Sequence, residues 1–287
     1  MTSDDRVARY YDSNTRRFLL VGGGKGTYAI HRELWGPGVA SVTQAADHIN
    51  QLLAREIRDL VRPAPLILDM GCGVGGTVLR LAEILPESRL HGITISPRQY
   101  ELAERLAEER GLQARCTFTL GDFQVAHLSL EADAIVAVEA FVHSQALEDF
   151  FRNATRHLRQ GGHLILVDDF LSTDTQHMAE RHVRLVQDFK TGWRVPSVCS
   201  VDACLSVARS CGLVPAKDVD LTSLIRPGRA RDRLIAVLSP LFRAAGLMGL
   251  PFFGNMIGGN ALQTGIREGF LQYHMLVLTR ASPGVGV

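Results

Sequence analysis

The sequence predicts an α/β protein built on a doubly wound, mostly parallel sheet of seven strands. Two observations support this prediction. Strand patterns and amphipathic helix patterns alternate along residues 65–170, which is typical of a parallel sheet covered by helices on both faces. A glycine-rich turn, LDMGCGVGG, joins the first strand to the first helix at residues 68–76, where nucleotide-like ligands approach the backbone in such folds.

The alternating elements follow one another closely. The strand patterns are PLILDM at 65–70, RLHGITI at 89–95, RCTFTLGD at 115–122, DAIVAVEA at 133–140 and HLILVDDF at 163–170. The helix patterns are GTVLRLAEIL at 76–85, PRQYELAERLAEERG at 97–111 and ALEDFFRNATRHLRQGG at 146–162. The second helix has proline near its start and glycine at its end, and we expect glycine to close the third.

The C-terminal part is less regular. Helical patterns cover residues 174–190 and 200–212, and strand patterns cover LVPAKDVDL at 213–221 and QYHMLVLTR at 272–280. If these two strands pair antiparallel, they complete a seven-stranded sheet whose last strand runs against the others. Residues 222–271 are too many for a tight hairpin, so we expect an inserted substrate cap there.

The N-terminal residues 1–62 are expected to form a helical lid segment, and residues 63–287 the main domain. The stretch AADHINQLLAREIRDLV has apolar positions at helical spacing and stops at Pro63. Pro63 and Pro65 mark the boundary between the two parts.

The composition excludes several classes of protein. Of 287 residues, 46% are hydrophobic and 21% charged, and the formal net charge is +1. A nucleic-acid partner is not expected, because no broad basic surface is available. The five cysteines form no CxxC pair, so we expect neither a disulfide framework nor a zinc site, and a cytoplasmic location fits best.

Two segments bear on targeting and membranes. The first residues, MTSDDRVARYYD, are too polar for a signal peptide. The most apolar stretch, 234–257, is interrupted by two prolines, an arginine and three glycines. We therefore expect broken helices over an apolar pocket and no transmembrane segment. Contact with a membrane surface is the alternative, and a homo-oligomer is left open.

The glycine-rich turn carries the first chemical signal. Asp69 precedes Gly71, Gly73 and Gly75, and glycine permits positive φ and close ligand approach. A carboxylate in front of these glycines suits an ammonium group better than a pyrophosphate. S-adenosylmethionine has an amino-acid end, a sulfonium and no phosphate, so it fits better than a dinucleotide. A tight turn without a ligand is the alternative.

Five motifs in order support a family resemblance. They are LDMGCGVGG, GITISPRQ, LGDF, VAVEAFVH and LRQGGHLILVDDF. With them the chain resembles the class I S-adenosylmethionine-dependent methyltransferases, and within these the sterol and prenyl diphosphate C-methyltransferases. The resemblance covers about residues 66–170 in detail. It implies a Rossmann-like fold, S-adenosyl-L-methionine as cofactor and S-adenosyl-L-homocysteine as product.

The resemblance assigns roles to the turn and to the N-terminal segment. Asp69 and Gly71 resemble the residues that hold the methionine end of the cofactor. Gly73 and Gly75 resemble those that let the cofactor approach the backbone. Tyr11, in the YYD motif, resembles an aromatic residue that closes over the sulfonium; a solvated helix face is the alternative.

The next two strands end in further expected cofactor contacts. Thr94 and Ile95 stand where the family often has an acidic residue that clamps the ribose. In the variant that this chain resembles, Gln99 takes over ribose binding. Asp122 and Phe123 resemble the adenine pair, a carboxylate for the exocyclic amine and a ring for stacking. The alternative for Asp122 is a turn residue.

The fourth strand points to the methyl acceptor. Ligands lie beyond the carboxyl ends of strands in open α/β sheets, so Glu139 and His143 are expected to face the reacting methyl group. In the enzymes that the motif resembles, the carboxylate faces the carbocation formed when an alkene is methylated, then helps to remove a proton. Tyr28 and His31 resemble a segment facing the active site. The alternatives are that Glu139 only anchors the cofactor or the lid through hydrogen bonds, that His143 starts a helix or packs, and that Tyr28 packs in the core.

Further aromatic and basic residues are candidates for substrate binding. The apolar candidates are Phe141, Phe170, Trp193, Phe252 and Phe253. Arg226 and Arg229 belong to a cluster that is suited to a diphosphate; a solvated charged face is the alternative. A diphosphate would bring Mg²⁺ with it, although the sequence contains no compact carboxylate cluster that demands a metal.

The sequence therefore predicts a C-methyltransferase of an isoprenoid or another alkene-bearing lipophilic metabolite. An O- or N-methyltransferase of a lipophilic natural product, similar to the tocopherol type, is the first alternative, with His143 or His31 as general base. A non-catalytic S-adenosylmethionine-binding protein and an NAD-dependent oxidoreductase are the others, and Asp69 argues against the oxidoreductase.

Overall fold

Seven strands in the described part of the chain form one mixed sheet. They are β1 (Leu66–Met70), β2 (Arg89–Thr94), β3 (Cys116–Leu120), β4 (Ala132–Val138), β5 (Leu158–Leu171), β6 (Leu213–Asp220) and β7 (Leu271–Arg280). Their order is β3-β2-β1-β4-β5-β7-β6. β7 pairs antiparallel with β5 and β6, and the other pairs are parallel. The predicted fold is confirmed.

The computed structural model describes most of the chain from residue 31 onward. The described residues are 28, 31–59, 62–226, 235, 237–239, 241–243, 246, 248 and 250–281. Of the predicted site residues, Tyr11 and Arg229 lie outside them.

Helices cover the sheet, and their ends carry ordinary helix signals. They are α1 (Val42–Arg58), α2 (Gly76–Ile84), α3 (Pro97–Glu109), α4 (Leu147–His157), α5 (Glu180–Trp193), α6 (Val201–Ser210) and α7 (Pro251–Glu268). Ser41 and Gln44 form a capping box at the start of α1. Ser96 caps α3 and Pro97 is its first residue.

The core lies on both faces of the sheet. The neighbours Ile67 and Leu68 in β1 are both buried, but they belong to two different hydrophobic clusters, one on each face. A strand that is buried on both sides consists of a continuous apolar run, which explains the strand pattern that precedes the glycine turn. The sheet therefore holds the glycine turn on a rigid base.

The predicted helix over 146–162 is wrong at its C-terminal end. α4 ends at His157, and β5 begins at Leu158, which pairs with Ala132 of β4. The ladder then shifts register, with Gly161 at a φ of 69°. The glycines therefore serve a β-bulge within the strand and do not cap the helix.

The segment expected to form a cap contains α7, and α7 packs against α5 through glycines. A Cβ on Gly192 of α5 would lie 2.3 Å from the carbonyl oxygen of Gly254 and 2.8 Å from the Cα of Gly258. The two helix backbones therefore touch, and an alanine at Gly192 would push them apart. The assignment of residues 222–271 to a substrate cap, like that of residues 1–62 to a lid, remains a prediction.

Candidate functional site

The predicted cofactor and acceptor residues follow the carboxyl ends of four adjacent strands. Gly71 follows β1, Ile95 follows β2, Asp122 follows β3 and Glu139 follows β4. Because these strands are parallel neighbours, their ends meet at one edge of the sheet. The site is therefore assembled from four loops on one rigid support.

The glycine turn adopts a backbone that only glycine adopts easily. The φ angles are 96° at Gly71, 56° at Gly73 and 81° at Gly75. A Cβ on Gly71 would lie 2.5 Å from the Cβ of Ala140 and 3.6 Å from the ring of Phe123. The turn therefore brings bare backbone close to the loops that follow β3 and β4.

Asp69 is a buried carboxylate at the base of this turn. Its exposed fraction is 3%, and no residue in the described chain hydrogen-bonds or ion-pairs with its side chain. Burial alone raises the pKa of Asp69 to about 7. An ammonium group would supply the missing partner, so Asp69 and the bare glycine backbone fit the amino-acid end of S-adenosylmethionine.

Thr94 and Gln99 are tied together where β2 ends. The Thr94 hydroxyl donates to Oε1 of Gln99 over 2.9 Å, and both side chains are buried. The backbone N–H of Gln99 donates to Oγ of Ser96, which caps α3. Ser96 thus fixes the start of the helix that carries Gln99, Ile95 is half-buried, and the predicted cofactor contacts of both residues remain predictions.

Asp122 forms a local turn, and Phe123 is held next to the glycine turn. Oδ1 of Asp122 accepts the backbone N–H of Gln124 over 2.8 Å, an Asx turn that agrees with the alternative role for this residue. The ring of Phe123 packs edge-on against Phe150, and its carbonyl accepts the Asn153 amide over 2.6 Å. The predicted adenine contacts of Asp122 and Phe123 remain predictions.

Glu139 lies directly after β4 in a left-handed conformation. Its φ is 50°, which costs a non-glycine residue about 1–2 kcal/mol. Its backbone N–H donates to the Val167 carbonyl over 2.8 Å. Its Oε1 accepts the Arg32 backbone N–H and the Tyr273 hydroxyl, each over 2.9 Å. The side chain is 20% exposed, so the surroundings hold the carboxylate in one orientation at the edge of the core.

Arg32 connects this carboxylate to β5. Its guanidinium forms a two-pronged ion pair with Asp169 and lies 4.7 Å from the centre of the Tyr273 ring. Burial opposes the charge of Arg32, but the carboxylates of Asp169 and Glu139 outweigh burial and raise its pKa. Arg32 therefore stays charged, and it balances two buried carboxylates.

Asp168, the residue before Asp169, supports the loop that follows Glu139. Its carboxylate oxygens accept the backbone N–H groups of Val142 and Asp169 over 3.2 and 2.9 Å. Burial, followed by the charge of Asp169, raises the pKa of Asp168 well above its usual range. The interaction fixes the short 3-10 helix Phe141–His143 to β5.

Four residues of this network, Arg32, Asp168, Asp169 and Tyr273, were not predicted from the sequence. Two consecutive carboxylates at the end of an apolar strand, in the motif LILVDD, were a usable signal, because buried carboxylates require partners. Arg32 and Tyr273 offered no comparable signal, since they lie 107 and 134 residues from Glu139 in the sequence.

Two neutral histidines flank Glu139. Nδ1 of His31 lies 3.2 Å from the Arg32 carbonyl, and Nδ1 of His143 lies 3.0 Å from the Arg194 carbonyl. A carbonyl only accepts, so Nδ1 carries the proton in both rings and Nε2 carries the lone pair. Burial lowers the pKa of both rings, while the charge of Glu139 acts in the opposite direction. Both imidazoles are therefore potential bases.

The structure does not bring Tyr28 together with these residues. Its ring lies 5.4 Å from the guanidinium carbon of Arg110, the C-cap residue of α3. That helix end is opposite to the end next to the site, because α3 starts at the carboxyl end of β2. Tyr28 is therefore placed away from Glu139 here, and its expected role at the reacting groups remains a prediction.

The predicted substrate-binding residues divide into buried and accessible ones. Phe141 and Phe170 are fully buried and stack at 6.0 Å within the core, so their rings line no open surface here. The indole N–H of Trp193 donates to the Asn255 carbonyl over 3.2 Å. Phe252 is 47% exposed and packs edge-on against Phe253 at 5.2 Å. Of these five side chains, only Trp193, Phe252 and Phe253 have solvent-exposed surface, and the substrate contacts of all five remain predictions.

Arg226 is exposed and stacks on an aromatic ring. Its guanidinium carbon lies 4.2 Å from the centre of the Trp35 ring. The backbone N–H of Trp35 in turn donates to the Leu224 carbonyl over 2.7 Å. The contact orients Arg226 on the segment just after β6, and its predicted diphosphate role remains a prediction.

Comparison with known families agrees with the fold and the glycine turn. A family model described as a methyltransferase domain matches residues 67–162, from β1 into the bulge of β5. Residues 67–162 therefore form a methyltransferase domain. Within this methyltransferase domain lie the glycine turn, the loops after β2 and β3, and Glu139.

Curated relatives of the chain include enzymes named for two kinds of reaction. A sterol 24-C-methyltransferase of Gibberella zeae is 29% identical over 57% of this chain and 43% of its own length. A 27-O-demethylrifamycin SV methyltransferase of Amycolatopsis mediterranei is 28% identical over 69% of this chain and 71% of its own length. The chain spans about half the length of the sterol methyltransferases that it matches.

Solved structures resemble the fold of the whole chain at low identity. The cyclase SpnF has a TM-score of 0.72 at 22% identity, covering 98% of this chain and 97% of its own. A geranyl diphosphate C-methyltransferase of Streptomyces coelicolor, in complex with Mg²⁺, geranyl-S-thiolodiphosphate and S-adenosyl-L-homocysteine, has a TM-score of 0.68 at 18% identity, covering 98% and 99%. Likeness at this identity shows the shared fold, and these two neighbours are named for different reactions.

The described part of the chain contains neither a helix that could span a membrane nor a protein-built metal site. Over these residues, no helix is both long and apolar enough to cross a membrane. The same residues contain no group of three or more His, Cys, Asp or Glu side chains that could hold a metal ion. A metal bound through a substrate diphosphate would not require such a group.

Proposed function

We propose that this chain methylates a carbon atom of an alkene-bearing isoprenoid, such as a prenyl diphosphate, through a carbocation. The single observation that supports this most is the Glu139 carboxylate, which is held beside the predicted cofactor turn by Arg32 and Tyr273. The sterol relative and the geranyl diphosphate neighbour, both C-methyltransferases by name, support the same reaction class.

The cofactor end of the site is proposed to work through Asp69 and the glycine turn. When bound, S-adenosylmethionine supplies an electrophilic methyl group on sulfur. Asp69 would pair with the ammonium of the methionine end, and Gly71 leaves room for the cofactor because it has no side chain. Both contacts would direct the methyl group toward the loop after β4, because Gly71 lies next to Ala140, the residue after Glu139.

On the side of the site that receives the methyl group, the negative charge of Glu139 is proposed to stabilise positive charge on the substrate. As the alkene carbon bonds to the methyl carbon and the sulfur leaves, the alkene becomes a carbocation. The Glu139 carboxylate stabilises that positive charge in a mostly buried site. Loss of a proton from the neighbouring carbon then restores a double bond, and either Glu139 or the unprotonated Nε2 of His31 or His143 accepts the proton.

The decisive experiment tests acceptors and Glu139 together. Turnover with labelled S-adenosylmethionine is measured against geranyl diphosphate, a Δ24 sterol and a phenolic natural product, and the product is analysed by NMR. We expect a new carbon–methyl bond on the prenyl diphosphate. Glu139→Gln should lower kcat by about 100-fold or more while the affinity for S-adenosylhomocysteine stays the same. Full turnover by Glu139→Gln would overturn the role of the carboxylate.

A second candidate function is O-methylation of a lipophilic natural product. The observation that favours it is the pair of neutral histidines, whose Nε2 atoms are able to deprotonate a hydroxyl group. The O-demethylrifamycin relative, by its name, acts on such a compound. In this case the phenolic acceptor is methylated on oxygen. His143→Gln or His31→Gln should then lower turnover more than Glu139→Gln does.

A diphosphate contact is proposed for Arg226, with Mg²⁺ as a companion of the substrate. Arg226 is exposed and its side chain is oriented by Trp35. Support for the ion comes from the geranyl diphosphate neighbour, whose structure is a complex with Mg²⁺ and the diphosphate analogue. Chelation of Mg²⁺ should then abolish turnover of a diphosphate acceptor and leave binding of S-adenosylhomocysteine unchanged.

A further inference from the structure

The Glu139 carboxylate is anchored through only one of its two oxygens. Oε1 accepts the Arg32 backbone N–H and the Tyr273 hydroxyl, and Nε of Arg32 lies 3.8 Å from the same atom. Within the described residues, no donor reaches Oε2. Among the described residues, the carboxylate is therefore held asymmetrically, with Oε1 bound by the protein and Oε2 without a protein donor.

Tyr273 is a rigid donor. It is fully buried in β7, directly opposite Asp169 in the antiparallel ladder with β5. Its backbone N–H donates to Oγ1 of Thr222 over 2.9 Å, and the Arg32 guanidinium covers its ring. Because both the backbone and the ring are fixed, the hydroxyl has little freedom to leave Oε1 of Glu139.

Asp169 fixes the other donor indirectly. Its carboxylate, 3% exposed, binds both terminal nitrogens of Arg32, and such two-pronged pairs impose a planar geometry. Arg32 lies in a segment that the structure describes as irregular, so no helix or strand holds it in place. The ion pair with Asp169 therefore positions the Arg32 backbone N–H against Glu139.

We propose that Tyr273 and Asp169 are positioning residues that present Oε2 of Glu139 to the methyl acceptor. Tyr273 acts through its hydroxyl, and Asp169 acts through Arg32. The proposal rests on the proposed function of Glu139 and adds the two residues through which the fold orients it. Neither residue needs to touch the substrate or the cofactor.

Tyr273→Phe tests the direct donor, because it removes one hydrogen bond and keeps the buried ring. Hydrogen bonds to charged groups are strong enough that kcat for geranyl diphosphate should fall about 10- to 100-fold, with KM and S-adenosylhomocysteine affinity unchanged. In a Glu139→Gln background, Tyr273→Phe should have no further effect on the residual single-turnover rate. An equal loss in both backgrounds would overturn the proposal, as would full kcat in the single variant.

A spectroscopic measurement gives a readout that does not depend on turnover. The Tyr273 hydroxyl donates directly to the carboxylate of Glu139. The carbon-13 NMR signal of this carboxyl group, assigned with Glu139→Gln, should therefore change its chemical shift in Tyr273→Phe relative to the unaltered protein. Identical chemical shifts would contradict a role for Tyr273 in holding Glu139.

Asp169→Asn and Asp133→Asn form a matched pair for the indirect donor. Asp133 is likewise a buried carboxylate in the sheet, but it lies at the amino end of β4 and pairs with Arg62 and Arg159. Both variants should lower the melting temperature. Only Asp169→Asn should also lower kcat by about tenfold or more and change the carbon-13 chemical shift of the Glu139 carboxyl group. Equal effects of the two variants would reduce Asp169 to a structural residue.

The outcomes separate this proposal from the proposed function. Full turnover by Glu139→Gln overturns both, since there is then no carboxylate to position. A Glu139→Gln variant without turnover, together with fully active Tyr273→Phe and Asp169→Asn variants, overturns only the positioning role. Loss of turnover in all three, with non-additive double variants, is the result that we expect.

Discussion

The glycine turn after β1 and the polar network around Glu139 lie at the same edge of the sheet, but they are built in opposite ways. Asp69, Gly71, Gly73 and Gly75 lie within seven consecutive positions, and their shape comes from backbone angles. The network joins residues that lie 107 to 137 positions apart, and its shape comes from side-chain contacts. The turn is therefore robust to distant substitutions, whereas the network depends on the whole fold.

This difference also separates the proposed tasks. In the proposed function, the turn holds the amino-acid end of S-adenosylmethionine, for which a local motif is sufficient. The network is proposed to orient a carboxylate toward the methyl acceptor, and it joins residues as far apart in the chain as Arg32 and Tyr273. Substitutions in the turn should therefore change cofactor affinity, and substitutions in the network should change turnover.

The largest effect on cofactor affinity is expected from Gly71→Ala. The added Cβ would lie 2.5 Å from the Cβ of Ala140 at a φ of 96°, so both a steric clash and backbone strain oppose it. We expect the Kd for S-adenosylhomocysteine, measured by calorimetry, to rise about 100-fold. Gly111→Ala is the control, because Gly111 has a φ of 66° with open space around it. It should cost stability only, and equal Kd changes in both variants would contradict the comparison.

A somewhat smaller loss of affinity is expected from Asp69→Asn. The substitution removes the charge that would pair with the ammonium group, so the Kd for S-adenosylhomocysteine should rise about 10- to 100-fold. In the unaltered protein, affinity should increase as the pH rises toward 7, because burial raises the pKa of Asp69 to about 7 and only the ionised form pairs. Calorimetry between pH 5.5 and 8 measures both effects. An affinity that is independent of pH would argue against this contact.

The same carboxylate predicts an unusual dependence of stability on pH. The pKa of Asp69 is raised from 3.8 to about 7 in the folded protein, so the folded state binds the proton more tightly than the unfolded state. This tighter proton binding adds to the free energy of unfolding. The contribution is fully present below pH 3.8 and is lost as the pH rises through about 7. In unfolding experiments Asp69→Asn should therefore be more stable than the unaltered protein at pH 8, by about 1–4 kcal/mol. This advantage should shrink toward pH 4.

The smallest effect is expected from Arg226→Ala, which lies on the acceptor side but outside the buried network. Arg226 is exposed, so solvent screens its charge, and the KM for geranyl diphosphate should rise by about tenfold or less. Arg209→Ala, on the exposed end of α6, is the matched control and should leave KM unchanged. If the two substitutions behave alike, Arg226 has no part in binding the diphosphate.

Much of the fold could be predicted from the sequence, because its signals are local. The alternation of strands and helices, the glycine turn and the Ser96–Pro97 helix start each depend on neighbours within a few positions. The error at the end of α4 arose where local signals conflicted. A glycine pair after a helix is typical of a cap, but here the chain had already joined β4 at Leu158, and the glycines form a bulge.

Tyr28 shows the limit of local inference at the site. It is three positions from His31 in the sequence, and a shared role was a natural expectation. The structure instead packs its ring against Arg110 at the far end of α3. Nothing in the sequence around Tyr28 carries information about that helix end, because the contact joins segments that are distant in the chain.

By itself, the sequence determined the doubly wound sheet, the Asp69–glycine turn and the position of Glu139 at the end of a buried strand. These follow from periodicity and from the backbone freedom of glycine, which act over short stretches. Only the tertiary structure decided that Arg32, Asp169 and Tyr273 hold one oxygen of Glu139. The reason is physical: a buried carboxylate must find donors, and the folding of the whole sheet determines which distant residues supply them.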